Sequence, residues 1–192
     1  MVDRISRIIV STDSEEIAKV ARQQGAEVPF LRPEELALDN SPEWLVWRHA
    51  LDYLSDSQQH KVDALVVIPP TAPLRDVLDI ENCLDEYEKG GVDIVITISD
   101  AHRSPYFNMV TNDQQGYCSL VMPLQDGIIR RQDAPPVFDM TTVAYVVRPQ
   151  FIYESSNIFE GRVRSVCVPP ERALDIDTLL DFKIAECLVT NK

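Results

Sequence analysis

"VLDIENCLDEYEKGGVDIVITISD", residues 77–100, decides the fold class. Its first half reads as a helix that the pair Gly90-Gly91 stops. Its second half, from Val92, is an apolar, β-branched run that ends on Asp100. A strand solvated on one face alternates apolar and polar residues, whereas a strand covered on both faces is apolar throughout. The run from Val92 is of the second kind, and a helix leads straight into it.

The same alternation continues outward. Upstream, "DALVVIPP" (63–70) is a buried-strand pattern closed by prolines, and "EWLVWRHALDYLSD" (43–56) reads as an amphipathic helix. Before that, "RIIVST" (7–12) reads as a strand. "DSEEIAKVARQQGAE" (13–27) has helical spacing at Ile17, Val20 and Ala21, with Asp13 or Ser14 as N-cap and Gly25 as the stop. Downstream, 101–140 is polar and irregular. "TVAYVVRP" (142–149) and "RVRSVCVPP" (162–170) read as strands. "TLLDFKIAECLVTN" (178–191) closes as a helix with Leu180, Ile184 and Leu188 on one stripe. The expected architecture is α/β: a Rossmann-like, mostly parallel sheet with helices on both faces, in a single domain over 1–192. In such sheets ligands bind beyond the carboxyl ends of the strands. "STD", "PPTAPLR" and the acids of "ALDID" all fall at or near such ends.

Composition narrows the function classes. The formal net charge is −13 over 192 residues, which argues against a nucleic-acid backbone as partner. No apolar run is long enough to span a bilayer, and "MVDRISRIIV" lacks a signal-peptide pattern. The expected placement is cytoplasmic, with no membrane partner. Cys83, Cys118, Cys167 and Cys187 form no CxxC pair and lie near no histidine, so they are expected to be buried thiols. His49, His60 and His102 share no context. His49, Trp44 and Trp47 lie on a predicted helix and are expected to pack.

Four stretches could carry chemistry. Asp175 and Asp177 in "RALDIDTLLDF" (172–182) flank one isoleucine and point the same way if extended. Left alone they raise each other's pKa. A divalent cation relieves the repulsion, and Mg²⁺ is commonly held by one or two carboxylates plus substrate phosphates. The alternative is that Asp177 merely caps the last helix and Asp175 is a loop residue. "PPTAPLR" (69–75) offers the Thr71 hydroxyl and the Arg75 cation after two rigid prolines. "FLRPEELALDNS" (30–41) offers Arg32, Asp39 and Ser41. "RRQDAPP" (130–136) places Arg130, Arg131 and Gln132 ahead of a rigid segment. Arginine grips carboxylates through paired hydrogen bonds; the alternative there is a salt bridge to neighbouring acids.

Taken in order, "VSTDSEEIA" (10–18), "LRPEELALDNS" (31–41), "PPTAPLR" (69–75), "RRQDAP" (130–135) and "ALDIDTLLDFKIAE" (173–186) resemble the sialic-acid-type cytidylyltransferases. These enzymes make CMP-sialic acid and CMP forms of related nonulosonic acids. The resemblance runs over nearly the whole chain. It implies a Rossmann-like fold, a homodimer, and attack of the sugar acid's anomeric hydroxyl on the α-phosphate of CTP with release of pyrophosphate. It places Mg²⁺ on Asp175 and Asp177, with Asp177 catalytic. Arg32 and Ser41 go by the cytosine nucleotide, Arg131 by the sugar carboxylate, and Thr71, Arg75 and Gln132 at the substrate.

The sequence departs from the family at several points. On this reading the family's first strand, with its glycine- and basic-rich triphosphate loop, is expected to be missing ahead of "VSTD". Its absence is expected to leave backbone groups unpaired and apolar surface exposed. Pro69 replaces a glutamine, Ala72 a serine, and Thr141-Thr142 an asparagine-glycine pair. These changes fall on the sugar side, so the sugar need not be sialic acid; legionaminic, pseudaminic or another 2-keto sugar acid fits equally. A second reading is a non-catalytic member of the same family that binds or dimerises. A third, more distant, is a nucleotidyltransferase for another sugar and base.

Overall fold

The computed structural model describes residues 2–57, 62–123 and 130–190. The strand expected over 92–100 forms β2 (Ile94–Asp100), the centre of a four-stranded sheet in the order β1-β5-β2-β6. β1 is Leu65–Val67, β5 is Phe138–Val147 and β6 is Val163–Cys167. β2 pairs parallel with β6, while β5 runs antiparallel to both β1 and β2. Three strands therefore share one direction, as expected, but the reversed β5 inserted among them makes the sheet mixed. β1 lies at one edge with β5 as its hydrogen-bonded neighbour.

Both faces are covered. On one, α2 (Glu43–Ser57) and α4 (Pro149–Glu154) pack with Trp44, Trp47, Leu51, Phe151 and Ile152 onto Ile94, Ile96, Tyr145 and Val147. On the other, Cys83 and Leu84 of α3 (Val77–Glu88) pack with Val2 onto Val95, Ala144 and Val146. Alternate residues of β2 and β5 serve opposite faces, which is why both strands read as continuously apolar. Trp44 and Trp47 are buried and stack with ring centroids 5.2 Å apart, so the packing expectation holds.

α1 (Glu15–Gln23) starts where the sequence indicates. Ser14 accepts a hydrogen bond from the Ile17 N–H, and Gly25 supplies the left-handed exit with φ 86°. Four expectations need correction. Residues 7–12 form no sheet strand among the described residues; they make only an isolated bridge between Ile9 and Glu27, in which the Val10 N–H donates to the Glu27 carbonyl at 2.9 Å and the Glu27 N–H to the Ile8 carbonyl at 2.8 Å. The stretch 101–140 contains a hairpin, β3 (Val110–Asn112) and β4 (Cys118–Leu120), turned by Gly116 at φ 88°. On α5 (Leu179–Thr190) the stripe Leu180, Ile184 and Leu188 is exposed and Ala185 is the buried residue, because the helix presents its apolar side outward. Of the cysteines, Cys83 is buried, with its thiol pushed up to about 12 by burial, whereas Cys118, Cys167 and Cys187 are exposed. Three of the four thus lie on surfaces rather than in the core.

The short helix α4 has no clear signature in the sequence. It makes a tight corner with Gly161. A Cβ on Gly161 would sit 2.5 Å from the Phe151 ring and 3.0 Å from the Asp93 Cβ. Asp93 ties this end of the sheet together. Its buried carboxylate accepts from Arg148 Nε at 3.0 Å, from the Arg162 N–H at 2.9 Å and from Arg162 Nε at 3.0 Å.

Candidate active site

Of the candidate residues, Thr71, Arg75 and Asp175 lie on loops at the end of the sheet opposite Asp93. Because β5 is reversed, its N-terminal end lies beside the C-terminal ends of β1, β2 and β6. The "PPTAPLR" loop after β1, the 130–137 segment before β5 and the "ALDID" loop after β6 therefore leave the sheet at one end, where α/β sheets bind ligands.

A bulge in β5 supports two of these loops. Its register with β2 jumps from Ile96↔Tyr145 to Thr97↔Thr141, leaving Thr142, Val143 and Ala144 unmatched. The Thr97 hydroxyl fills the gap, accepting from the Thr141 hydroxyl at 2.8 Å and the Ala144 N–H at 3.2 Å. Val143 is pushed into a small apolar cluster with Ala72, Val168 and Ala173. Ala72, which stands in place of a serine, is thus a fully buried packing residue. The Thr142 hydroxyl is buried without a partner.

The two loops are also joined by hydrogen bonds. The Ile176 N–H donates to the Thr71 carbonyl at 2.9 Å. Arg75 folds back, donating from Nε to the Ala72 carbonyl at 2.9 Å and from Nη2 to the Pro69 carbonyl. Burial lowers the Arg75 pKa from its ordinary value, and the nearby charges of Asp175 and Asp79 oppose the shift. Tyr145 is pushed up to about 12, mainly by burial, with Glu43 and Asp175 adding to it. The charge of Asp175 is thus felt at both Arg75 and Tyr145. One of the Asp175 oxygens, Oδ1, is buried with no hydrogen-bond partner. Such an atom is costly unless something outside the protein satisfies it.

Asp177 is exposed and does not cap the last helix. Thr178 and Asp181 form the cap: Thr178 N–H donates to Asp181 Oδ2 at 2.8 Å, and Asp181 N–H to Thr178 Oγ1 at 3.3 Å. The capping alternative for Asp177 falls away. Among the described residues no three His, Cys, Asp or Glu side chains gather as a metal cage. Two carboxylates, one with an orphaned oxygen, fit a Mg²⁺ ion that takes its other ligands from phosphate and water.

The remaining candidates are placed less closely. Arg32 is half-buried and donates to the Ser11 carbonyl and, from Nε, to Ser11 Oγ at 3.2 Å. Ser41 donates to the Glu35 carbonyl at 2.7 Å. These bonds shape the 30–41 loop against the "STD" turn and do not reach the Thr71–Asp175 cluster. Gln132 is exposed in a single 3₁₀ turn, Arg131–Asp133, and the side chain of Arg131 lies outside the described residues. Arg130 pairs with Asp133 at 3.0 Å, the salt-bridge alternative. His49 packs edge-on against Phe30 at 4.7 Å, and His60 lies outside the described residues.

Sequence reasoning missed one contact here. Arg172, at the end of a 3₁₀ turn, grips the buried Asp79 of α3. The signal was the pattern of Asp76 and Asp79, three apart at a helix start, which reads only as helix.

The fold matches a solved structure, a CMP-2-keto-3-deoxy-manno-octonic acid synthetase in complex with CTP. The TM-score is 0.67 at 12% identity, covering all of this chain and 83% of that one. At that identity the likeness defines the fold alone, an α/β sheet with helices on both faces. A CMP-N,N'-diacetyllegionaminic acid synthase of Campylobacter jejuni and a post-translational flagellin modification protein B of Campylobacter coli are each 34% identical over 96% of this chain and 77% of their own length. The chain belongs to the sialic-acid-type cytidylyltransferase family. No protein-family model matches it.

Proposed function

We propose that the chain, acting as one domain, transfers CMP from CTP to a nonulosonic sugar acid and releases pyrophosphate. The observation that carries this is the Asp175 carboxylate, with Oδ1 buried and unpaired on a loop tied through the Ile176 N–H to the Thr71 carbonyl, where three loops leave the sheet together. In the reaction the sugar's anomeric oxygen bonds to the α-phosphorus, the bond to the β-phosphate oxygen breaks, and the hydroxyl proton leaves. Phosphoryl chemistry of this kind depends on positioning and charge neutralisation.

Asp175 and Asp177 are the residues that would hold Mg²⁺, which when bound neutralises charge on the triphosphate and the leaving pyrophosphate. Arg32 and Ser41 orient the nucleotide. Thr71, Arg75 and Gln132 line the substrate side, and Arg131 takes the sugar carboxylate. The relative named for legionaminic acid makes a legionaminic-type acid the first sugar to test. The protein works in the cytoplasm as a homodimer. The β3–β4 hairpin, which exposes Val110, Tyr117, Val121 and Met122, supplies an apolar arm for a second copy.

A second reading, a non-catalytic binding or dimerisation member, is favoured by one observation. Among the described residues the glycines with positive φ are Gly25, Gly90, Gly91 and Gly116, at helix ends and a hairpin turn rather than in the cluster. Pyrophosphate release with CTP, Mg²⁺ and a panel of nonulosonic acids separates the two. Turnover that Asp177→Ala abolishes with the fold intact supports the enzyme. Turnover unchanged in that variant refutes the metal assignment. CTP binding without pyrophosphate release from any acid favours the second reading.

A further inference from the structure

The Asp79–Arg172 pair is an expensive contact in an otherwise ordinary loop. Asp79 is 1% exposed. Its Oδ2 accepts from the Asp76 N–H at 2.9 Å, closing the capping box of α3. Arg172 then occupies both oxygens, with Nη2 to Oδ1 at 2.8 Å and Nε to Oδ2 at 2.9 Å. A cap needs only one acceptor, and a buried carboxylate carries a desolvation cost that a neutral capping residue would avoid. The loop C-terminal to Arg172 shows the use of that charge. Three residues on is Asp175, and one further the Ile176 N–H is held by the Thr71 carbonyl at 2.9 Å. Asp175 lies between these two anchors, one to α3 and one to the "PPTAPLR" loop. Residues 173–177 have no helix or strand of their own.

We infer that Asp79 and Arg172 are a positioning pair: their two-pronged salt bridge, with the Ile176–Thr71 hydrogen bond, fixes the 173–177 loop and so holds the Asp175 carboxylate in place at the site. This rests on the proposed cation site only for its functional consequence; the loop-fixing itself does not. Coulomb attraction and positioning predict opposite signs. Arg172 is a cation three residues from a candidate cation ligand, so its charge alone disfavours a divalent ion there. If Arg172 acted only by charge, Arg172→Met would bind a divalent ion more tightly. If it positions Asp175, the variant binds more weakly despite the lost repulsion.

The experiment uses the full chain as wild type, Arg172→Met, and the double variant Asp79→Asn/Arg172→Met. The double variant leaves no lone buried charge and keeps an acceptor for the Asp76 N–H. Amide hydrogen exchange is read at Ile176 and across β2 and β5, and Mn²⁺ binding by water-proton relaxation. In both variants the Ile176 amide exchanges about tenfold faster or more, while β2 and β5 amides hold their rates. Mn²⁺ binds roughly tenfold more weakly, the usual effect of losing an outer partner of a metal ligand. Unchanged exchange at Ile176, a loss of protection shared equally with β2 and β5, or tighter Mn²⁺ binding overturns the inference. If wild type binds no Mn²⁺, the cation reading of Asp175 and Asp177 fails, and exchange at Ile176 still decides whether the pair fixes the loop.

Discussion

Replacing Asp93 by asparagine tests the far end of the sheet, away from the candidate site. Asp93 is 6% exposed and accepts from two arginines and a backbone N–H. Hydrogen bonds to a charged group contribute about 1.5–3 kcal/mol each. Arg162 and Arg148 keep 68% and 36% of their side-chain surface exposed, so both regain water when the partner charge goes. A discounted total of about 2–3 kcal/mol follows for Asp93→Asn at pH 7. With a typical urea slope of about 2 kcal/mol/M, the midpoint falls by about 1–1.5 M. The effect must depend on pH in one direction. The Arg162 and Arg148 bonds hold the Asp93 carboxyl well below its ordinary value of 3.8. The unfolded chain therefore takes up this proton before the folded one. The stabilisation is fully present above about pH 4–5 and declines as pH falls toward the folded pKa. At pH 3 about 1 kcal/mol of it is gone, since the unfolded carboxyl is by then mostly protonated. Urea titrations of both proteins at pH 7 and pH 3 measure the gap. A gap that is equal at both pH values, or below about 0.5 kcal/mol at pH 7, would refute the claim that Asp93 works as an ionised clamp.

Gly161→Ala forces a methyl into the Phe151 ring and should cost about 1–3 kcal/mol in urea unfolding; a neutral result would show that the corner yields. Arg131→Ala should raise the KM for the sugar acid far more than that for CTP, and equal effects would misplace the sugar carboxylate. Val110→Asp together with Tyr117→Glu, both exposed on the hairpin, should shift sedimentation toward monomer without lowering the unfolding midpoint. An unchanged sedimentation coefficient would remove the hairpin from the dimer surface.

The parts of the fold that are legible in the sequence are those whose local pattern and tertiary role agree. β2 and the 143–147 part of β5 read as strands because both faces are buried there, and α1 and α3 read as helices because their glycine stops are real. Direction is not legible: the apolar run of β5 is the same whichever way it crosses the sheet, so its reversal can come only from pairing. Residues 7–12 carry the residue types of a strand yet find only a bridge to Glu27, because strand identity requires a partner as well as a propensity. The hairpin is hidden for the opposite reason: its two strands are short and exposed, so neither shows alternation.

The candidate site is legible as segments but not as contacts. Spacing puts Asp175 and Asp177 together and leaves open whether either has a purely structural task. The structure separates them. Helix capping at 178 is done by Thr178 and Asp181, so Asp177 is not needed for the fold. The loop is anchored through Arg172 and the Ile176 N–H, so Asp175 is not needed as an anchor either. A chain under selection for stability alone has no reason to keep two close acids at a position where neighbours already perform every structural duty, with one oxygen buried and unpaired. The local rule is broken where the surrounding structure is most firmly tied down. The proposed cation, which brings its own charge, would satisfy that combination.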